Sequence, residues 1–370
     1  MHEILRATAK DKEDVIDFAN YVFSQSRVPH DFKTLIPVAY ADEVEGLGAE
    51  HYLIRKDGKI RALVADRRAI HLYGNAPLKT SFIGTVSVHP YARGEGYMKA
   101  LMPHAIERAR EDGVDLMLLG GQRQRYNYFG FETGGIKLSF HITPSNLRHA
   151  FADISTEGIS FAPLRREDVA FCLDLYRTLP IHANRTEADF GRCARMWNMP
   201  CRMVLRDGRP IGYVVGAFAE CVLRDERDFP AVLKALFVAE GWKSADIALP
   251  PCARERVAFL SRAAEGYSVN HVDMVRVLHW KRVLEVLLTF KATYAPLADG
   301  EGSFAVEGMR YTLRVSGGVP TVTESPAEKE ECLTPVEAER LLFQSLGLLE
   351  DGGFYNWFPL PLFVLPGDAF

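Results

Sequence analysis

Apolar positions in the first third of the chain recur at two periods, about 3.6 and 2, which separate helices from strands. Residues 3–8 read as a short strand, and Asp11 stands where it can cap the helix that follows. In that helix Val15, Ile16, Phe18, Ala19, Val22 and Phe23 form one broad apolar face. Residues 51–55 and 60–71 read as strands joined at Asp57-Gly58, a strong hairpin turn signal. A strand over 81–88, a helix over 95–111 and a buried-type strand over 115–119 follow, and 135–142 closes the unit. The pattern predicts a mixed α/β sandwich around a largely antiparallel sheet.

A fainter copy of this pattern begins near residue 160. Leu5-Arg6 followed by Glu13-Asp14-Val15 has a counterpart in Leu164-Arg165 followed by Glu167-Asp168-Val169. The hairpin at Asp57-Gly58 has one in Asp207-Gly208, and 245–249 matches the strand at 115–119. Beyond Asn270 the sequence predicts an apolar helix over 274–290, strands over 302–314 and 319–324 with a Gly317-Gly318 turn, and a helix over 334–346. That last helix opens with Thr334, Pro335 and Glu337, a capping arrangement. The tail, 354–370, holds Tyr355, Trp357, Phe358, Pro359, Pro361, Phe363 and Pro366, too many large apolar groups for a solvated segment. Three domains are expected, at 1–150, 151–270 and 271–370, in keeping with the length of 370 residues.

Net charge is -4, with no long basic block, so nucleic acid is not an expected partner. No apolar run approaches the roughly 20 residues of a membrane helix, and the first residues lack the blocks of a signal peptide. The six cysteines (Cys172, Cys193, Cys201, Cys221, Cys252 and Cys332) form no C-x-x-C pair, which predicts reduced thiols in a cytoplasmic protein. No His/Cys/Asp cluster has ligand spacing, so no metal is expected. The mildly acidic balance suits a cationic acceptor such as an amine.

The candidate chemistry lies in residues 86–98, VSVHPYARGEGYM. The order strand, turn with Arg93, Gly94 and Gly96, then helix makes an anion site: outward backbone N–H groups with the positive end of a helix dipole behind them. Gly94 and Gly96 let phosphates approach without a Cβ clash. A dinucleotide fingerprint would need a third glycine at position 99, which is Lys99.

Val86-x-Val88-x-Pro90-x-x-Arg93-x-x-Gly96 resembles the acetyl-CoA motif of the GCN5-related N-acetyltransferases (GNAT). Tyr126-x-x-x-Gly130-Phe131 resembles the Tyr-x-x-x-Gly-Phe element of the same superfamily. Met98 departs from the pattern, standing where many members have Gly or Ala. One motif-bearing unit, a motif-less second copy and a small α+β region are similar to the enhanced intracellular survival (Eis) acetyltransferases. That resemblance implies tandem GNAT folds, the second degenerate, followed by a sterol carrier protein-like domain. It implies acetyl-CoA as co-substrate, held by Val86, Val88, Arg93, Gly94, Gly96, Tyr97 and Met98. It also implies a hexamer and a small-molecule amine acceptor, an aminoglycoside or another multi-amine compound, lined by Phe23, His30 and Phe32.

For catalysis the resemblance implies that the Val88 N–H polarises the thioester and that Tyr126 is the general acid for the coenzyme A sulfur. The Phe370 α-carboxylate is implied as general base, with Asp368, His89 and His30 as other candidates. Arg123 and Arg125 read as a solvated loop outside the site. Two other functions stay open: acetylation of a protein lysine or N-terminus, and a non-enzymatic lipid-binding or scaffold role.

Overall fold

The computed structural model describes residues 2–26, 28–344 and 356–370. β1 (Leu5–Arg6) leads through a 3-10 turn into α1 (Lys12–Ser24), and the short α2 (Phe32–Leu35) and α3 (Pro37–Tyr40) follow. Next come β2 (Glu50–Lys56), β3 (Lys59–Tyr73), β4 (Ala76–Val88), α4 (Tyr97–Glu111), β5 (Leu116–Leu119), α5 (Arg123–Tyr126) and β6 (Glu132–Gly134). β7 (Lys137–Ile142) and α6 (Pro144–His149) lead to a second unit. It comprises β8 (Ile159–Pro163), α7 (Val169–Tyr176), β9 (Ile181–Ala183), α8 (Glu187–Cys193), β10 (Cys201–Arg206), β11 (Arg209–Val215), β12 (Glu220–Leu223), α9 (Phe229–Ala239), β13 (Ala245–Leu249), α10 (Arg254–Ala263) and β14 (Gly266–Asn270). β15 (Asp273–Val277), α11 (Trp280–Ala292), β16 (Gly300–Val306), β17 (Met309–Ser316), β18 (Val319–Pro326) and α12 (Pro335–Phe343) end the series.

The two units repeat each other in local detail. Asp57-Gly58 and Asp207-Gly208 both take positive φ, +54 and +73 against +50 and +73, the left-handed pair of a two-residue hairpin turn. Both hairpins carry a register shift at the same offset, after Ile54 and after Val204. Each first helix is preceded by the same closed turn: the Asp11 carboxylate accepts from Thr8 N at 2.8 Å, and that of Asp168 from Arg165 N at 3.0 Å. Asp11 therefore does not cap α1 with its side chain, as its position had suggested; it is already engaged one turn earlier.

The sheets cross the expected boundaries at 150 and 270. In the first sheet, ordered β1-β2-β3-β4-β5-β15-β6, β15 arrives from beyond the second unit and inserts between β5 and β6. β7 does the reverse, inserting between β13 and β14. Residues 135–142 thus do not close the first unit, and the helix expected over 274–290 starts only at Trp280, because 273–277 are needed as a strand. Residues 302–314 also divide in two, at a Glu307-Gly308 turn with φ +50 and +80.

Alternate residues of β3 feed opposite faces of the sheet. Leu63 and Ala65 join α1, α3, α11 and the tail in one core, whereas Ala62 and Val64 join α4 in another. The tail packs as its composition predicted, with Trp357, Phe358, Phe363 and Phe370 buried; Phe354 and Tyr355 lie outside the described residues, as does the end of the helix expected over 334–346. The Thr334–Glu337 capping box is present. Among the described residues no helix is long and apolar enough to cross a membrane, and no cluster of three His, Cys, Asp or Glu could hold a metal.

Candidate active site

β4 and β5 are the parallel pair of the first sheet, in register only from Thr80↔Leu116 to Ile83↔Leu119. Beyond Ile83, β4 continues to Val88 along β3 alone, with an irregularity around Thr85, whose φ is +50. The edge from Gly84 to Val88 is thereby left open. His89 N donates to Arg61 O on the β3 side at 2.8 Å, so the Val88 N–H, one residue back, points to the open edge.

β4 then runs through a 3-10 turn to Gly94 and Gly96, φ +88 and +79. Gly96 is the N-cap of α4, and a Cβ at either glycine would meet nothing within 4 Å. The first amides of α4 have no intrahelical partner and face this space with the helix dipole behind them. Together β4, the turn, α1 and the segment after α5 enclose a cleft of about 910 Å³. Its wall includes all seven residues expected to hold the cofactor: Val86, Val88, Arg93, Gly94, Gly96, Tyr97 and Met98. Arg93, Lys99 and Arg125 also line it, and no carboxylate among the described residues does. The electrostatics therefore favour an anion.

Arg125, expected in a solvated loop outside the site, lines the cleft wall instead, and so does Lys99. Arg125 belongs to the short α5, whose four residues carry no readable period, and Lys99 was considered only as the position where a dinucleotide site would need glycine. Arg123 is structural, donating to Glu132 from Nε and Nη2 at 2.5 Å each. Phe23 joins the cleft wall, while His30 bonds Val28 O and Phe32 is buried against Phe23 and Tyr40.

Tyr126 and Phe370 do not line the cleft. Tyr126 is buried, its ring edge against Gly121, and burial pushes its phenol above the ordinary range. Tyr128, by contrast, is exposed, lines the cleft and lies under Lys99 Nζ at 5.3 Å from its ring centre. The Phe370 ring lies on the backbone of Gly84: a Cβ there would stand 2.3 Å from its Cδ1. Beside it, the Tyr40 hydroxyl joins His51 Nε2 and Thr85 Oγ1, 2.8 Å from each. Burial lowers His51 to about 4, so the imidazole is neutral near pH 7. This buried chain went unseen in the sequence because its members are far apart and follow no motif.

The other candidate bases are committed elsewhere. Burial alone would raise the Asp368 carboxyl, but Arg185 and Tyr176 hold it below its ordinary value, and it accepts from them at 2.6 and 2.7 Å. A carboxylate so paired is a poor proton acceptor. His89 accepts from Tyr91 N and stacks on Tyr21, with its pKa lowered by burial.

Comparison with known proteins agrees with this geometry. Residues 3–134 match the family model described as acetyltransferase (GNAT) domain. No curated protein matches the chain. Among solved structures, the chain is similar over 100% of both chains to a GCN5-related N-acetyltransferase from Anabaena variabilis (TM-score 0.67, 16% identity). It is likewise similar over 100% of both chains to Eis1 from Mycobacterium abscessus (TM-score 0.66, 13% identity). A GCN5-related N-acetyltransferase from Kribbella flavida aligns over 95% of this chain and 93% of its own (TM-score 0.62, 18% identity). At these identities the structures speak for the fold alone, and that fold spans both repeats. Residues 3–134 thus match the GNAT acetyltransferase domain model, and the whole chain shares the fold of these N-acetyltransferase structures.

Proposed function

We propose that the protein transfers an acetyl group from acetyl-CoA to a primary amine by direct attack on the thioester. The observation that carries this is one cleft bringing together an open β4 edge, two left-handed glycines, free helix amides and three cations. Gly94, Gly96 and the first amides of α4 hold the pyrophosphate, with Arg93 beside it. The open edge of β4 pairs with the pantetheine arm. The Val88 N–H donates to the thioester carbonyl as negative charge grows on it, and Tyr126 gives its proton to the departing thiolate.

The base we assign is the α-carboxylate of Phe370. The seat of its ring on Gly84, two residues before the cleft wall begins at Val86, supports the assignment, as does the commitment of Asp368 and His89 elsewhere. The acceptor class we favour is a multi-amine small molecule such as an aminoglycoside, reached past Phe23. The unit of α11, three strands and α12 is the proposed sterol carrier protein-like region, serving to deliver the tail. A cytoplasmic hexamer completes the reading.

The test is coenzyme A release from acetyl-CoA, screened over aminoglycosides, polyamines and lysine peptides, with and without Phe370. Turnover of a multi-amine compound that collapses on removing Phe370 from a folded protein supports both assignments. Turnover of lysine peptides alone moves the acceptor to proteins. No turnover and no acetyl-CoA binding refutes the acetyltransferase reading.

A further inference from the structure

The tail does not end on the first repeat alone. Two residues before Phe370, the buried Asp368 carboxylate accepts from Arg185 Nε at 2.6 Å and from the Tyr176 hydroxyl at 2.7 Å. Arg185 spends its other nitrogens on Glu220, at 3.0 and 2.7 Å, and Glu220 also accepts from the Tyr213 hydroxyl at 2.5 Å. The guanidinium carbon lies over the Tyr176 ring, 4.0 Å from its centre. Every side chain in this array is buried, and every one except Asp368 belongs to the second repeat. Gly367 is pressed against the same wall: a Cβ there would stand 2.8 Å from Cys193 O and 2.9 Å from Arg185 Nη2. From the first repeat, Arg67 Nη1 donates to the Asp368 carbonyl at 3.2 Å.

The place of this array in the repeat is informative. Glu220 opens β12, the counterpart of β4, and β12 is fully parted from β13 as β4 is partly parted from β5. The resulting cavity of about 490 Å³ has no glycine-bearing turn; it is lined by Glu220–Leu223, Leu249 and, from the tail, Phe363 and Leu365. The tail thus borders, in the second repeat, the cleft that corresponds to the cofactor cleft of the first.

We propose that the second repeat is a latch, and that Arg185 is a positioning residue for the transfer reaction. It clamps Asp368, and through two residues of chain it fixes Phe370 on Gly84. Two residues span at most about 7 Å, so a fixed Asp368 leaves the terminal residue little freedom. A planar guanidinium suits this role because one side chain grips two carboxylates with fixed geometry. The inference rests on the reading of Phe370 as base.

The experiment compares the full chain with Arg185→Met, Asp368→Asn, a deletion of Phe370, and the deletion combined with Arg185→Met. Arg185→Met is expected to lower kcat/KM for the amine at least 30-fold while the acetyl-CoA Kd stays within twofold. In the background lacking Phe370, Arg185→Met should add less than a twofold loss, since its effect runs through the missing residue. Carboxypeptidase A should release Phe370 rapidly from Arg185→Met and slowly from the parent chain, a readout independent of turnover. Should Arg185→Met fail to fold, Asp368→Asn removes the charge while keeping the shape and carries the same measurements. Equal losses with and without Phe370, or a tail equally protected in the variants, would overturn the latch. Full turnover after deleting Phe370 would instead overturn the base assignment, and the latch with it.

Discussion

Gly84→Ala tests the position of the terminal residue with a single methyl group. Gly84 sits in β4 opposite Ala65, and its φ is not in the left-handed region, so alanine fits the backbone. The obstacle is the Phe370 ring, with Cδ1 at 2.3 Å and Cε1 at 2.7 Å from the added Cβ. Carbon atoms rest roughly 3.5–4.0 Å apart, so the ring must retreat by about 1.3 Å. Overpacking of this kind costs about 1–3 kcal/mol in stability. A displacement of about 1 Å at a reacting group costs about 10²-fold in rate. Steady-state kinetics should therefore show kcat/KM for the amine down about 10²-fold with acetyl-CoA affinity retained, because the proposed pyrophosphate turn at Gly94 and Gly96 lies elsewhere. Adding Phe370→Ala to Gly84→Ala removes the clash while leaving a terminal carboxylate, and should recover part of the loss. A Gly84→Ala enzyme that is less stable yet within threefold of parental kcat/KM would refute the reasoning, since the ring would have moved without consequence.

Two further outcomes follow from the same site. Gly96→Ala places a side chain at φ +79, which costs about 1–2 kcal/mol of stability; its Cβ meets no protein atom but intrudes on the phosphate space, so calorimetry should show the acetyl-CoA Kd raised at least about tenfold. Tyr126→Phe should lower kcat about 10²-fold or more with little change in acetyl-CoA Kd. Because burial raises the Tyr126 phenol above its ordinary 10, the acid form persists through neutral pH, and the parental rate should fall only on a limb above about pH 10. That limb should be absent from the Phe variant, and an unchanged alkaline limb would remove Tyr126 from the acid role.

The seven cleft residues were legible as a group because they fall within one stretch, 86–98, and glycine spacing at a strand–helix junction records backbone directly. The hairpins at Asp57-Gly58 and Asp207-Gly208 were legible for the same reason, since a two-residue turn demands positive φ at both positions. What escaped depends on tertiary pairing. His51, Tyr40 and Thr85 meet across three elements, and Arg185 meets Asp368 across 183 residues of chain. No period or spacing marks such residues. Arg185 is one of many arginines until its burial is known.

The exchanged strands show why the domain boundaries were not legible either. Residues 273–277, Asp-Met-Val-Arg-Val, do not alternate polar and apolar side chains, because Met274 and Val275 are both apolar and both buried, so this strand carries no clean period of its own. Helical spacing through Val283, Leu284 and Leu287 immediately after it drew the strand into a predicted helix. In the fold, β15 pairs through Met274 with Leu119 of β5 and Thr133 of β6, and so completes the first sheet. β7 does the same for the second repeat, Phe140 facing both Ile247 and Tyr267. A cut at 150 would leave β7 without both neighbours and the first sheet with a gap between β5 and β6, exposing unpaired strand edges in each half. The repeats are therefore tied together by exchanged strands. This is the condition under which a residue of the second repeat can set the position of a group used in the first.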